Sequence, residues 1–177
     1  MAITLDLGPM YSVDANALIY LKFQIRRTVF RSAWAFVGQM ADAGRLIVCE
    51  EAADEVRDSD IQSFIKEHCA MIRRFQHVAH QKALVAEAEE HNLRMVDHTS
   101  TKNRADEFVI ALALMCEGRD LSSLRRAYPG GPKCAVLSYE SQRKRPANLA
   151  KIPDVCGFYG LRYMQWLDMF EDEGFVC

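Results

Sequence analysis

The feature that most constrains this fold is a series of short apolar runs separated by stretches of helical pattern. Tyr11–Val13, Arg45–Cys49 and Cys134–Leu137 have the length and apolar character of buried strands. Helical patterns lie between them, and the clearest is Ala105–Glu117, which is apolar nearly all round. This alternation predicts an α/β fold with three layers (α/β/α), in which helices cover both faces of a mainly parallel central sheet.

Other parts of the chain carry weaker signals. The stretch Ile61–Asn92 is predicted to be one long helical region, Ile152–Val155 a further strand-like piece, and Leu161–Phe170 the last amphipathic helix. A length of 177 residues favours one domain. We assign residues 10–177 to it and interpret residues 1–9 as an N-terminal extension.

Composition limits the functional classes. The chain has 22 Lys and Arg and 24 Asp and Glu, a net charge of -2, which argues against a uniformly basic nucleic-acid coat protein but does not exclude local basic patches. No apolar run approaches the ~20 residues that cross a bilayer, so we expect a cytoplasmic protein without a membrane partner. The cysteines are interpreted as reduced and mostly buried, and the five histidines as surface or capping residues.

Four acidic residues stand where predicted strands end or helices begin. They are Asp14, Glu55, Asp106 and Glu140. Each alone is equally compatible with helix capping or a loop charge. Because the carboxyl ends of parallel strands share one edge of the sheet, however, we expect the four to converge there. Clustered carboxylates repel one another unless a cation neutralises them, and oxygen ligands favour Mg²⁺ or Mn²⁺. Such a site is suited to hydrolysis of a phosphodiester.

Four sequence segments resemble the motifs of PIN domains, in the same order. YSVDANALIYL is similar to the opening strand with its Asp, RLIVCEEAADEV to the second acidic motif, ADEFVIALA to the third, and AVLSYE to the fourth. More narrowly, ADEFVIALA together with KIPDVC resembles a bacterial and archaeal branch of PIN-like proteins. The resemblance extends from about Met10 to Phe170.

The resemblance implies roles for individual residues. Asp14, Glu55, Asp106 and Glu140 would form the catalytic metal site, and Asn16 and Ser138 would orient ligands or water. Glu51 competes with Glu55, because the two lie one helical turn apart. Asp154 is a rival to Glu140 or an additional acid outside the first ring of ligands. Glu140 and Ser138 stand where the family more often has Asp and Thr.

The same resemblance implies a function. PIN domains are mostly metal-dependent endoribonucleases, and many are the toxin of a toxin–antitoxin pair of the VapC type. We therefore expect an RNA substrate, Mg²⁺ or Mn²⁺ as cofactor, a cognate antitoxin protein and a homodimer. A catalytically degenerate module that acts through protein or RNA binding is the alternative. A phosphatase of the haloacid dehalogenase type is disfavoured, because Asn16 stands where that class needs a second Asp.

Two groups of basic residues flank the proposed site segments and are candidates for binding RNA phosphates. Each could equally be a solvated face or loop. The first group includes Lys22 and Arg26, and the second consists of Arg143, Lys144, Arg145 and Lys151.

Overall fold

A five-stranded sheet in which all strands are parallel organises the molecule. The computed structural model describes residues 8–95, 105–126, 134–142 and 149–176. The strands, in chain order, are β1 (Met10–Val13), β2 (Leu46–Cys49), β3 (Ile72–Arg73), β4 (Cys134–Leu137) and β5 (Arg162–Met164). Their spatial order is β3-β2-β1-β4-β5. The chain therefore builds the sheet outward from β1 in one direction and then in the other, which places a switch point between β1 and β4.

Helices flank this sheet in the predicted three-layer α/β/α arrangement, so the expected fold class is confirmed. No helix within the described residues is both long and apolar enough to span a membrane. The helices are α1 (Ala15–Gln24), α2 (Arg31–Asp42), α3 (Glu50–Glu55), α4 (Ser59–Glu67), α5 (Val78–Glu90), α6 (Asp106–Cys116), α7 (Ile152–Tyr159) and α8 (Trp166–Asp172), with a 3₁₀ turn at Cys69–Met71.

The centre of the core explains the unusual composition of α6. All residues of β2 and β4 are buried, and the six consecutive residues Val109–Leu114 of α6 are fully buried as well. A helix enclosed on every side gains from apolar residues all round, as the sequence of α6 shows. The first turn of α6, which carries Asp106 and Glu107, is thereby fixed relative to β1 and β4.

The predicted long helical stretch Ile61–Asn92 was wrong. The structure divides it into α4, the 3₁₀ turn, the short strand β3 and α5. Ile72 and Arg73 of β3 pair with Val48 and Cys49 of β2, so a contact distant in sequence overrides the local helical pattern.

The end of the chain also differs from expectation. Ile152–Val155, predicted to be strand-like, is the start of α7, where Pro153 is tolerated because the first backbone N–H groups of a helix need no helical partner. Gly160 ends α7 with a left-handed φ of 65°. The edge strand β5 and then α8 follow, in the region predicted to be a single helix.

Candidate metal site at the carboxyl edge of the sheet

The four predicted acids meet at one pocket beside the switch point. It has a volume of about 300 Å³, and we call it the acidic pocket. Its lining comes from the ends of β1 and β4 and from α1, α3, α6 and the start of α7. The residues that line it are Asp14, Asn16, Glu55, Asp106, Glu140 and Lys151.

Asp14 is the most buried acid of the pocket. It directly follows β1, only 3% of its surface is exposed, and one carboxylate oxygen accepts a hydrogen bond of 2.8 Å from the Ser138 hydroxyl. Burial, together with the nearby negative charges of Asp106, Glu140 and Glu55, raises the pKa of Asp14 to about 7, although the Ser138 hydrogen bond opposes the shift. The ionised form of Asp14 therefore lacks adequate compensation from the protein alone.

The polar residues predicted to orient ligands lie in contact with this end of the sheet. Besides the Ser138 bond to Asp14, the Asn16 side-chain oxygen accepts the backbone N–H of Tyr139 at 3.0 Å. The Tyr163 hydroxyl lies 2.8 and 2.7 Å from the carbonyl oxygens of Ser138 and Glu140, to which it donates. These bonds connect β1, α1 and β5 to the segment after β4 and fix the position from which Glu140 enters the pocket.

Glu140 is held at the start of α7. One of its carboxylate oxygens lies 2.7 Å from Lys151 Nζ, and the other accepts the backbone N–H of Ile152 at 3.1 Å. Lys151, predicted to bind RNA, is therefore a cation within the acidic pocket itself. It compensates the carboxylate of Glu140.

Glu51 and Glu55, the two alternatives for the second acidic residue of the site, lie in different places. Glu55 lines the acidic pocket and accepts the backbone N–H of Ala105 at 2.9 Å, just before α6. Glu51 points to a different group, since one of its oxygens lies 3.1 Å from Nε2 of His77. Of these two glutamates, only Glu55 lies beside Asp14 in the acidic pocket, although its ligand role stays a prediction.

A second, larger pocket of about 610 Å³ adjoins the first and shares Glu55 with it. Glu107 lies here, only 8% exposed, and its pKa is raised to about 7 by burial and by the charges of Asp106, Glu55 and Glu51. Glu107 was not predicted from the sequence. The pattern that could have indicated it is an acid next to Asp106 in an otherwise apolar helix. This adjoining pocket is lined by Glu51, Asp54, Glu55, Arg57, Ala105, Glu107 and Phe108.

Several predicted residues lie outside the acidic pocket. Asp154 accepts the backbone N–H of Lys151 at 2.9 Å and thereby caps the first turn of α7. Lys22 forms ion pairs with Asp58 at 2.8 Å and Asp60 at 2.7 Å, so nearby acids already neutralise it. Arg26 is exposed in the turn after α1. Arg143, Lys144 and Arg145 lie outside the described residues.

A second group of potential metal donors contains sulfur and nitrogen atoms as well as a carboxylate. We call Cys49, Glu51 and His77 the buried cluster, because one donor atom of each lies within 4.8 Å of the others and both Cys49 and His77 are fully buried. The expectation that the histidines are surface or capping residues was thus wrong for His77, which is buried and, although it precedes α5, makes no side-chain capping hydrogen bond there. Burial raises the pKa of the Cys49 thiol far above its usual range. Sulfur and nitrogen donors suit zinc-type ions better than Mg²⁺. The protonated thiol of Cys49 is neutral, so it needs no cation.

Comparison with known proteins yields one match. A protein family described as "Domain of unknown function (DUF4411)" matches residues 11–120, more than half of the chain. The matched region includes Asp14, Asn16, Glu55 and Asp106. Glu140 follows it. Searches of curated proteins and of solved structures found no match.

Proposed function

The chain belongs to the DUF4411 family, and from its acidic pocket we propose that it is a Mg²⁺- or Mn²⁺-dependent endoribonuclease of PIN type, a metal-dependent hydrolase of RNA phosphodiester bonds. One observation carries the proposal. Four carboxylates from separate segments of the chain converge on an open pocket at the switch point of a parallel sheet. This is the edge at which open α/β sheets bind their ligands.

The charge balance of the pocket supports a resident divalent cation. Among the described residues that line the pocket, four carboxyl groups accompany one ammonium group, that of Lys151. The pKa of Asp14 is raised first by burial and then by the charges of Asp106, Glu140 and Glu55. A cation among these oxygens would turn the repulsion between carboxylates into attraction, because the same negative charges that repel Asp14 attract the ion. Oxygen ligands of this kind are those that Mg²⁺ and Mn²⁺ prefer. Asp14 and Asp106 would hold the ion, with Glu55 and Glu140 completing its shell directly or through water.

The residues around the ion would divide the remaining work. When bound, such an ion makes water acidic enough to attack a phosphodiester near neutral pH and stabilises the charge that builds on the phosphate. Glu55 or Glu140 would accept a proton from the attacking water. Lys151 would move from Glu140 towards a phosphate oxygen, and Ser138 keeps Asp14 oriented through its 2.8 Å bond.

The biological setting follows from the same resemblance. We propose that the protein acts in the cytoplasm as the toxin of a toxin–antitoxin pair, with an antitoxin protein that blocks the pocket, and that two copies associate. The pocket is open to solvent rather than enclosed, which is what both an RNA strand and a blocking partner require.

The test is cleavage of a labelled RNA by the purified chain with Mn²⁺, with EDTA in a parallel reaction. We expect Asp14→Asn to abolish metal-dependent cleavage. Asp42→Asn is the matched control, because Asp42 is exposed and pairs with His68 at 2.7 Å, away from the acidic pocket. Undiminished cleavage by Asp14→Asn would exclude the site assignment.

One observation favours the alternative of a catalytically degenerate module that acts through protein or RNA binding. Both oxygens of Glu140 are engaged, one by Lys151 and the other by the Ile152 backbone N–H. Titration calorimetry with Mn²⁺ separates the two functions. An active site binds the ion in a manner that depends on Asp14 and Asp106, whereas a degenerate module does not bind it.

A further inference from the structure

We propose that the exposed face of α1 that carries Tyr20 and Phe23 binds the bases of a single RNA strand and directs that strand into the acidic pocket. We call this surface the aromatic face. The identity of the strand as RNA rests on the proposed function. The stacking site itself rests on the contacts described below.

Tyr20 forms a stacked pair with Tyr139, the residue between Ser138 and Glu140. The ring centroids are 4.6 Å apart and the planes differ by 6°. Tyr139 covers one face of the Tyr20 ring, yet 45% of Tyr20 remains exposed. The two neighbours of Tyr139 in the chain are Ser138, which binds Asp14, and Glu140, which lines the pocket. The stacked pair therefore offers a flat, pre-ordered apolar surface next to the carboxylates.

The geometry of α1 extends this surface away from the pocket. Asn16 lines the pocket, Tyr20 follows it by four residues and Phe23 follows Tyr20 by three, so the three side chains lie along one side of the helix. Along the helix axis Tyr20 lies about 6 Å and Phe23 about 10 Å beyond Asn16. Phe23 is 66% exposed, which is costly for a phenylalanine that serves only the fold. Two aromatic side chains thus follow the pocket in sequence along one line.

Positive charge lies beyond the aromatic residues. Arg26 is exposed just after α1, three residues beyond Phe23. Arg27 and Arg31 line a neighbouring surface with Trp34, where Arg27 lies over the Trp34 ring at 5.5 Å and pairs with Glu67. Aromatic rings beside cations are the combination that binds single-stranded nucleic acid, because the rings stack on bases and the cations contact phosphates. A duplex keeps its bases stacked on one another and offers no free base face. The aromatic face therefore favours a single strand.

An apolar patch can also bind another protein chain. The arginines and the continuity of the patch with the acidic pocket favour RNA here, because a strand held on α1 would reach the carboxylates directly. A protein occupant is the competing outcome of the test.

The experiment measures RNA binding without catalysis. Fluorescence anisotropy in EDTA follows a labelled twelve-nucleotide RNA, first as a single strand and then as a blunt duplex of the same sequence. We expect Tyr20→Ala and Phe23→Ala each to weaken single-strand binding about 5- to 100-fold and to leave duplex binding unchanged. Tyr20→Phe should restore most of the affinity. Leu121→Ala, at an exposed leucine beyond the C-terminal end of α6, is the control.

The outcomes separate this inference from the proposed function. Phe23 is so exposed that its replacement preserves the fold, so unchanged single-strand binding by Phe23→Ala and Tyr20→Ala would overturn the inference. The inference would also be overturned if the substitutions weakened duplex binding equally, or if the wild type bound no single strand. It would be overturned as well if the substitutions changed only the mass of the protein in light scattering, the result expected for a protein occupant. Cleavage that depends on Asp14 but not on Tyr20 would leave the proposed function intact. Binding that depends on Tyr20 without any cleavage would support the aromatic face and contradict the nuclease.

Discussion

The acidic pocket and the buried cluster both assemble potential metal donors, yet they solve the problem of charge in opposite ways. Among the described residues that line the acidic pocket, four carboxyl groups accompany one cation, Lys151, and the pocket is open. In the buried cluster, Glu51 has His77 as a partner at 3.1 Å, and burial keeps the Cys49 thiol protonated. The first group thus gathers several carboxylates around Asp14, whereas the second contains one carboxylate, which is hydrogen-bonded to a histidine.

The electrostatic environment of the donor atoms distinguishes a functional site better than their proximity does. Proximity of donor atoms is common to both groups. What distinguishes the first group is a carboxyl group, Asp14, whose pKa is raised to about 7 by burial and by the charges of three neighbouring carboxylates. The comparison predicts that substitutions in the pocket change function and that substitutions in the cluster change stability.

The largest effect is expected on catalysis. Asp106→Asn should lower Mn²⁺-dependent RNA cleavage by about 10³-fold or more, ~4 kcal/mol in activation free energy, because it removes a charged ligand candidate. Cys49→Ala should leave the rate within about threefold. Single-turnover cleavage measures both, and a comparable loss in Cys49→Ala would end the distinction between the two groups.

The second prediction concerns stability and pH. A pKa raised from 3.8 to about 7 means that the folded state of Asp14 holds its proton more tightly than the unfolded chain. In EDTA the free energy of unfolding should therefore fall as pH rises from about 4 to 7, by roughly 4 kcal/mol from Asp14, with no further change above that range. Glu107 adds a slope of the same sign.

Urea unfolding at several pH values compares the wild type with Asp14→Asn. The variant should lack the Asp14 part of the slope, and saturating Mn²⁺ should flatten the slope of the wild type. Parallel pH profiles for the two proteins would show that Asp14 is ionised without cost.

A smaller effect is expected for the buried cluster. His77→Ala removes a fully buried ring and its contact with Glu51, which should cost about 2–3 kcal/mol of unfolding free energy. Mn²⁺ affinity by calorimetry should stay within about threefold of the wild type. A tenfold loss of affinity would instead place the cluster in the metal site.

The smallest effect concerns the internal cation. Lys151→Ala removes the positive charge that competes with a metal ion for Glu140, so Mn²⁺ should bind a few-fold more tightly while RNA binds a few-fold less tightly. Lys22→Ala is the control, because Lys22 pairs with Asp58 and Asp60. Weaker Mn²⁺ binding would mean that Lys151 positions Glu140 as a ligand.

The elements that could be predicted from the sequence were those buried on all sides. The apolar runs of β1, β2 and β4 and the apolar body of α6 were identified because burial on all sides leaves a clear composition. The strands β3 and β5 have only two and three residues, too few to show a period. Pairing with a neighbouring strand defines them, and local sequence does not encode that pairing.

The same distinction applies to the site. The convergence of Asp14, Glu55, Asp106 and Glu140 was predictable because parallel strands deliver their carboxyl ends to one edge. The neutralisation of Lys22 was not, since its partner Asp58 is 36 residues away in the chain. The burial of His77 was hidden for the same reason, as its partner Glu51 belongs to another element.

One backbone contact has a consequence for how the pocket responds to its own charge. The amide of Asp14 donates to the carbonyl of Leu137 at 3.0 Å, which extends the ladder between the two central strands by one residue. We expect the deuterium uptake of this amide to be among the slowest in the molecule. The carboxylates therefore cannot relieve their repulsion by backbone displacement at Asp14. A proton or a cation must supply that relief, and an arriving ion meets a site that needs little rearrangement.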